Sequence, residues 1–184
     1  MILEIVKYGH PILRQRGARV ERVTPELRQL AADMIETMYA ANGVGLAAQQ
    51  VGQALQLTVI DVSSSEQPWE MTPSLPQPVV LINPVLLRPQ GEQVGPEGCL
   101  SIPGISADVR RAEQITVRAQ DLEGRPVEFV CRGLLARAAQ HEVDHLNGIL
   151  FVDRLDAATR ASLNGALKRL REETLAALPR TARR

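Results

Sequence analysis

A chain of 184 residues, 45% hydrophobic and 23% charged, can bury a core without cross-links and is expected to form a single domain over 1–184. Its 21 basic and 21 acidic residues cancel, which removes any overall electrostatic drive toward nucleic acid, so no specific DNA partner is expected. Two cysteines, no apolar run near the roughly 20 residues of a bilayer span, and no leader pattern at Met1–Lys7 point away from a membrane and toward a cytoplasmic, reducing setting.

In chain order, His10 precedes Pro11 in an N-terminal turn and reads as a surface residue rather than a ligand. Thr24-Pro25-Glu26 then offers a capping hydroxyl, a proline at the first helical position and an early acid. Leu27, Leu30, Met34, Met38 and Ala41 follow at helical spacing, and Asn42-Gly43 ends the helix. Gly43 to Gln50 (GVGLAAQQ) reads as a flexible junction whose small residues let a backbone lie close and whose amides are potential oxyanion donors. A strand is expected over 55–62. Ser63 to Pro78, with four prolines, reads as a mobile surface loop. Val79–Ile82 is a short buried strand stopped by Asn83-Pro84. Ile105–Val109 and Ile115–Ala119 read as further strands, and the turn at 121–124 leads into Val127–Cys131 as a hairpin. The period then changes to that of a helix through Leu134, Leu135, Ala138, Val143 and Leu146, ending near Asn147-Gly148. A last amphipathic helix runs over about 156–178.

The last helix lies in a basic tail. From Arg154 onward, Arg154, Arg160, Lys168, Arg169, Arg171, Arg180, Arg183 and Arg184 face only Asp156, Glu172 and Glu173. Such an asymmetry suits an anionic partner.

His141-Glu142-Val143-Asp144-His145 places two imidazoles four apart on one helical face, where both can reach one ion. Glu142 beside them suits a general base and acid acting on water. A catalytic site commonly has a third protein ligand. No histidine follows, so the open choices are a downstream acid (Asp153, Asp156, Glu172 or Glu173) or Cys99, which glycine flanks. Cys131, set in an apolar strand, reads as a small buried hydrophobe.

GVGLAAQQ, EGCLS at 97–101 and HEVDH resemble, in the same order, the GxGxAAxQ, EGCLS and HExDH of the peptide deformylase family. With Ile5-Val6 and Pro11–Arg14 included, the resemblance extends from about residue 2 to about residue 155. It implies removal of the formyl group from the formyl-methionine ends of nascent chains. It also implies one divalent metal ion, Fe(II) in vivo with Zn, Ni or Co able to substitute, held by Cys99, His141 and His145. Glu142 would be the acid–base residue, with Gln50 and the Leu100 N–H on the oxyanion. Gly43, Val44, Gly45 and Glu97 would bind the peptide, with Leu134, Arg137 and Ala138 lining the methionine pocket. Arg137 departs from the apolar residues common there, and is expected to lend its stem while its charge reaches water. The basic last helix would dock on the ribosome.

The fold class expected is α+β, with mixed or antiparallel sheets packed around a central helix carrying HExxH and a C-terminal helix. Two rival readings are an HExxH metallopeptidase cleaving internal peptide bonds and a binding protein without activity.

Overall fold

The computed structural model describes residues 1–183; Arg184, counted in the basic tail, lies outside them. The first helix, α1 (Pro25–Ala40), starts as the sequence dictates: the Thr24 hydroxyl accepts from the Leu27 N–H at 3.2 Å, and Pro25 needs no partner for an N–H. The strands are β1 (Gly45–Ala47), β2 (Leu57–Ile60), β3 (Trp69–Thr72), β4 (Val79–Gln90), β5 (Gln93–Cys99), β6 (Ile102–Arg111), β7 (Gln114–Gln120) and β8 (Pro126–Arg132). Helices α2 (Gly133–Leu146) and α3 (Ala157–Ala177) complete the chain. The six-stranded sheet has the order β1-β2-β4-β7-β8-β3, and β5 pairs with β6 in a separate two-stranded sheet. The ladders between these strands are antiparallel.

β2 is buried along its whole length because the sheet is covered on both faces there. Leu57 and Val59 pack with Met34 and Met38 of α1, whereas Ile60 packs with Leu135, Ala136 and Ala139 of α2. This sandwich fixes α2 against β1 and β2. A third cluster joins Leu13, Ile102, Val109, Phe151 and Leu167, which seats α3 against β6.

Three segments differ from the sequence expectation. β4 does not stop at Asn83-Pro84 but continues to Gln90 through a bulge. Asn83 takes a left-handed conformation there, and its amide bonds to both backbone groups of Val20 and to Gln120. Pro84 lies where β4 has run past β2, so its missing N–H breaks no ladder. The segment 63–78 is not loop throughout: β3 lies within it and pairs with β8. β5, unforeseen because of its two glycines and Pro96, is a strand of a two-stranded sheet, where proline is tolerated.

Candidate active site

A cleft of about 690 Å³ lies between the edge strand β1, helix α2 and the β5–β6 hairpin. Gly43, Val44, Gly45, Gln50, Glu97, Cys99, Leu100, Leu134, Arg137, Ala138, His141 and Glu142 line it. His145, almost wholly buried, sits behind His141 with ring centroids 5.0 Å apart.

Cys99 comes from the end of β5, and α2 brings the two histidines. The ligand atoms of Cys99, His141 and His145 all lie within 4.8 Å of one another, with Cys99 Sγ 3.3 Å from His145 Nε2. The downstream acids are not in that group; Asp153 pairs with Arg14 and Asp156 caps α3. Cys131 is buried in the core, where desolvation pushes its thiol up to about 12. His10 accepts from the Ile12 N–H as a cap of a short 3-10 turn.

The electrostatics fit a cation at this point. Burial opposes charge on His141, but the Cys99 sulfur and the Glu97 and Glu142 carboxylates outweigh it and push the ring up to about 10. His145 goes the other way: burial and the neighbouring His141 hold it well below its ordinary value. The three donor atoms thus converge at a point where the surrounding carboxylates favour positive charge. A sulfur with two imidazoles is a donor set for zinc or ferrous iron. Glu97 Oε1 lies 2.8 Å from His141 Nδ1, a carboxylate–imidazole contact that fixes the ring and leaves the other nitrogen free for metal.

Glu142 is buried against Gly45. Desolvation pushes its carboxyl up to about 7, where it can exchange a proton near neutrality. Its Oε2 is buried without a hydrogen-bond partner among the described residues, as expected of a group whose partner is a water or a substrate. A Cβ on residue 45 would overlap the Glu142 carboxylate, so any larger residue there must displace that side chain. That packing, rather than turn flexibility, explains Gly45.

Gln50 is buried, with its Oε1 accepting from the Ala47 N–H at 2.9 Å. This turns Nε2 toward Cys99 Sγ (3.4 Å) and Ser101 Oγ (3.2 Å), beside the cluster of Cys99 with the two histidines. Leu100 lines the cleft and its carbonyl accepts from Lys7 Nζ.

Two expectations need revision. Glu97 faces the cleft, but Arg111, Arg137 and His141 engage both its oxygens, which leaves no carboxylate for a peptide. The Arg137 charge does not reach water: its side chain is 8% exposed and pairs with Glu97 at 2.6 Å. The sequence reading missed Arg111 and gave Asp144 no role. Arg111 bridges Glu97 and Asp144, and Arg154 pairs with Asp144 from the other side. The D of HEVDH was the one visible signal, an acid beside a ligand with no partner within its own helix.

The family profile for polypeptide deformylase matches residues 2–161. The chain is 48% identical over 154 residues to a peptide deformylase of Dictyoglomus thermophilum, covering 84% of this chain and 93% of that one. It is 44% identical to a peptide deformylase of Opitutus terrae, covering 96% and 97%. The crystal structure of peptide deformylase from Thermus thermophilus superposes with a TM-score of 0.83 at 39% identity, covering 94% of this chain and 99% of that one.

Proposed function

The chain belongs to the polypeptide deformylase family, and we propose how its own residues divide the work. It is a hydrolase that removes the formyl group from the N-terminal formyl-methionine of nascent polypeptides; cleavage of internal peptide bonds is not favoured. Cys99, His141 and His145 hold a divalent ion. When bound, that ion supplies Lewis acidity and makes water a nucleophile at neutral pH. Glu142 accepts the proton from the attacking water and returns it to the leaving amine, so water and the formamide become formate and a free amino terminus. Gln50 Nε2 and the Leu100 N–H donate to the oxygen that gains charge. The contact of Gln50 with the Cys99 sulfur, a poorer acceptor than an anionic oxygen, is one that an oxyanion would outcompete.

The peptide lies extended along Gly43, Val44 and Gly45. β1 is an edge strand whose one side pairs with β2 and whose other side faces the cleft, so it can accept a further strand. The first side chain packs among Leu134, Ala138 and the Arg137 stem. The observation that carries this reading is the convergence of one sulfur and two imidazoles at a cleft that also holds a buried carboxylate, one of whose oxygens has no hydrogen-bond partner among the described residues. Glu142→Ala is expected to retain metal but release no formate from formyl-Met-Ala-Ser, and Cys99→Ala to lose the metal. Near-wild-type turnover by Glu142→Ala would disprove the assignment.

Fe(II) is the metal we assign in the cell from the resemblance to the deformylase family, since a sulfur with two imidazoles suits zinc as well, and the cytoplasm is the compartment that keeps Cys99 reduced. We further infer that α3 meets the ribosome. Its Leu163, Leu167 and Leu170 stripe packs on the domain, while Lys168, Arg169 and Arg171 face solvent. Reversing those three charges to Glu should weaken ribosome co-sedimentation and its salt dependence; unchanged binding would remove the idea.

A further inference from the structure

Arg137 stands on α2 one turn before His141 and lines the cleft beside Leu134 and Ala138. Its guanidinium is committed to the protein: Nη1 donates to Glu97 Oε2 at 2.6 Å and to the Val109 carbonyl at 3.0 Å. β5 makes room for it at Gly95, where a Cβ would come within 3.4 Å of Nη2. Glu97 then reaches His141 Nδ1 through its other oxygen. Contacts thus run unbroken from the cleft wall through Arg137 and Glu97 to His141.

We propose that Arg137 is a positioning residue for the metal centre: it fixes the Glu97 carboxylate, and through it the orientation of the His141 ring toward the cation. The inference rests on the assignment of Cys99, His141 and His145 as ligands. Arg111 also grips Glu97, through Nε and Nη2 at 2.9 Å each, but Arg111 lies on β6, in the same hairpin as Glu97. Arg137 ties Glu97 directly to α2, the helix bearing both histidines, whereas Arg111 reaches that helix only through Asp144, the residue before His145. A carboxylate held from two elements cannot follow the motions of either one alone.

The sign of one measurement separates positioning from charge. Arg137→Met takes a positive charge away from the neighbourhood of a cation, so electrostatics alone would slow metal release. Loss of positioning speeds it. With nickel-loaded protein and excess EDTA, release from Arg137→Met should be about tenfold faster than wild type, the lower end of what losing a ligand-orienting partner costs. Arg137→Lys keeps the charge, but its shorter side chain does not carry the ammonium to where Nη1 meets Glu97 and the Val109 carbonyl, and its release should be faster by about threefold. The cobalt(II)-loaded Arg137→Met should also show a shifted visible absorption, since that spectrum reports ligand geometry. Release from Arg137→Met at or below the wild-type rate, with a native circular dichroism spectrum, would overturn the proposal. Should Arg137→Met fail to fold, a wild-type rate and cobalt spectrum in Arg137→Lys would overturn it instead. A wild-type protein that binds no nickel would overturn the ligand assignment as well, whereas normal nickel binding with unaltered release in the variants would remove only the role of Arg137.

Discussion

Gly45→Ala is the sharpest perturbation of the mechanism that leaves every chemical group in place. The added Cβ would stand 2.4 Å from Glu142 Oε1, 2.8 Å from its Cδ and 2.9 Å from its Cγ, against an ordinary contact of at least 3.4 Å. Something must move by about 1 Å, and β1 is held by its ladder to β2, so the side chain of Glu142 gives way. Misplacing a reacting group by that distance costs about 10²-fold in rate, or roughly 2.7 kcal/mol of transition-state stabilisation. We therefore expect kcat for formate release from formyl-Met-Ala-Ser to fall about 100-fold, with metal content unchanged. A rise in KM with intact kcat would show instead that the methyl only obstructs the peptide. A double-mutant cycle tightens the test. Glu142→Asp removes the contacts at Oε1 and Cδ and keeps only the one at Cγ, so Gly45→Ala should cost less on that background. An equal loss in both backgrounds would refute the reasoning.

Two further outcomes follow from the buried and half-buried charges. Arg111→Met leaves Glu97 to Arg137 and His141 and Asp144 to Arg154, each carboxylate one guanidinium short where both side chains are nearly inaccessible, and should destabilise the metal-free protein to urea by about 3 kcal/mol, the lower end for a broken buried pair; a loss under about 1 kcal/mol would contradict that role. Asp153 is desolvated, but its bonds with Arg14 and the Leu150 N–H prevail and hold its carboxyl below the ordinary 3.8. Its stabilising contribution is therefore complete above about pH 4 and is lost as pH falls through its lowered folded-state value. Asp153→Asn should cost about 1 kcal/mol at pH 7, given that the pair is about one-third exposed, and the gap in urea midpoint should close toward pH 3. A gap that widens on acidification would reverse the sign of the argument.

What was legible in the sequence was local. His141 and His145 could be put on one face because four residues make a helical turn, and the caps at Thr24 and Asn42 bound α1 for similarly local reasons. Cys99 could be brought to them only as one choice among several, since nothing in its own neighbourhood names a partner 42 or 46 residues away. The Glu97–Arg111–Asp144 bridge was not legible, because each partner alone reads as a solvated charge and only tertiary folding makes them mutual. Pro84 and Pro96 misled for a related reason. Proline forbids a ladder bond on one side of a strand, and which side matters depends on neighbours that the sequence does not display.

The division of labour between the hairpin and the helix explains why so much charge is buried beside a site that must hold a cation. Cys99 arrives on β5 and the histidines on α2, two elements with no ladder between them. Apolar packing alone could set their distance but not their register, since hydrophobic contact has no direction. Glu97 with Arg137, and Arg111 with Asp144, cross that same boundary as directional contacts. The desolvation they cost is offset inside the network, because each carboxylate meets two guanidinium groups and the surplus positive charge falls on Arg154, whose side chain is 46% exposed. A neutral polar pair could supply direction too, but it would not shield His141 from the arginines as the Glu97 carboxylate does. The network is thus best understood as registering the hairpin that carries Cys99 against the helix that carries the two histidines, at a cost in stability that an apolar core would not incur.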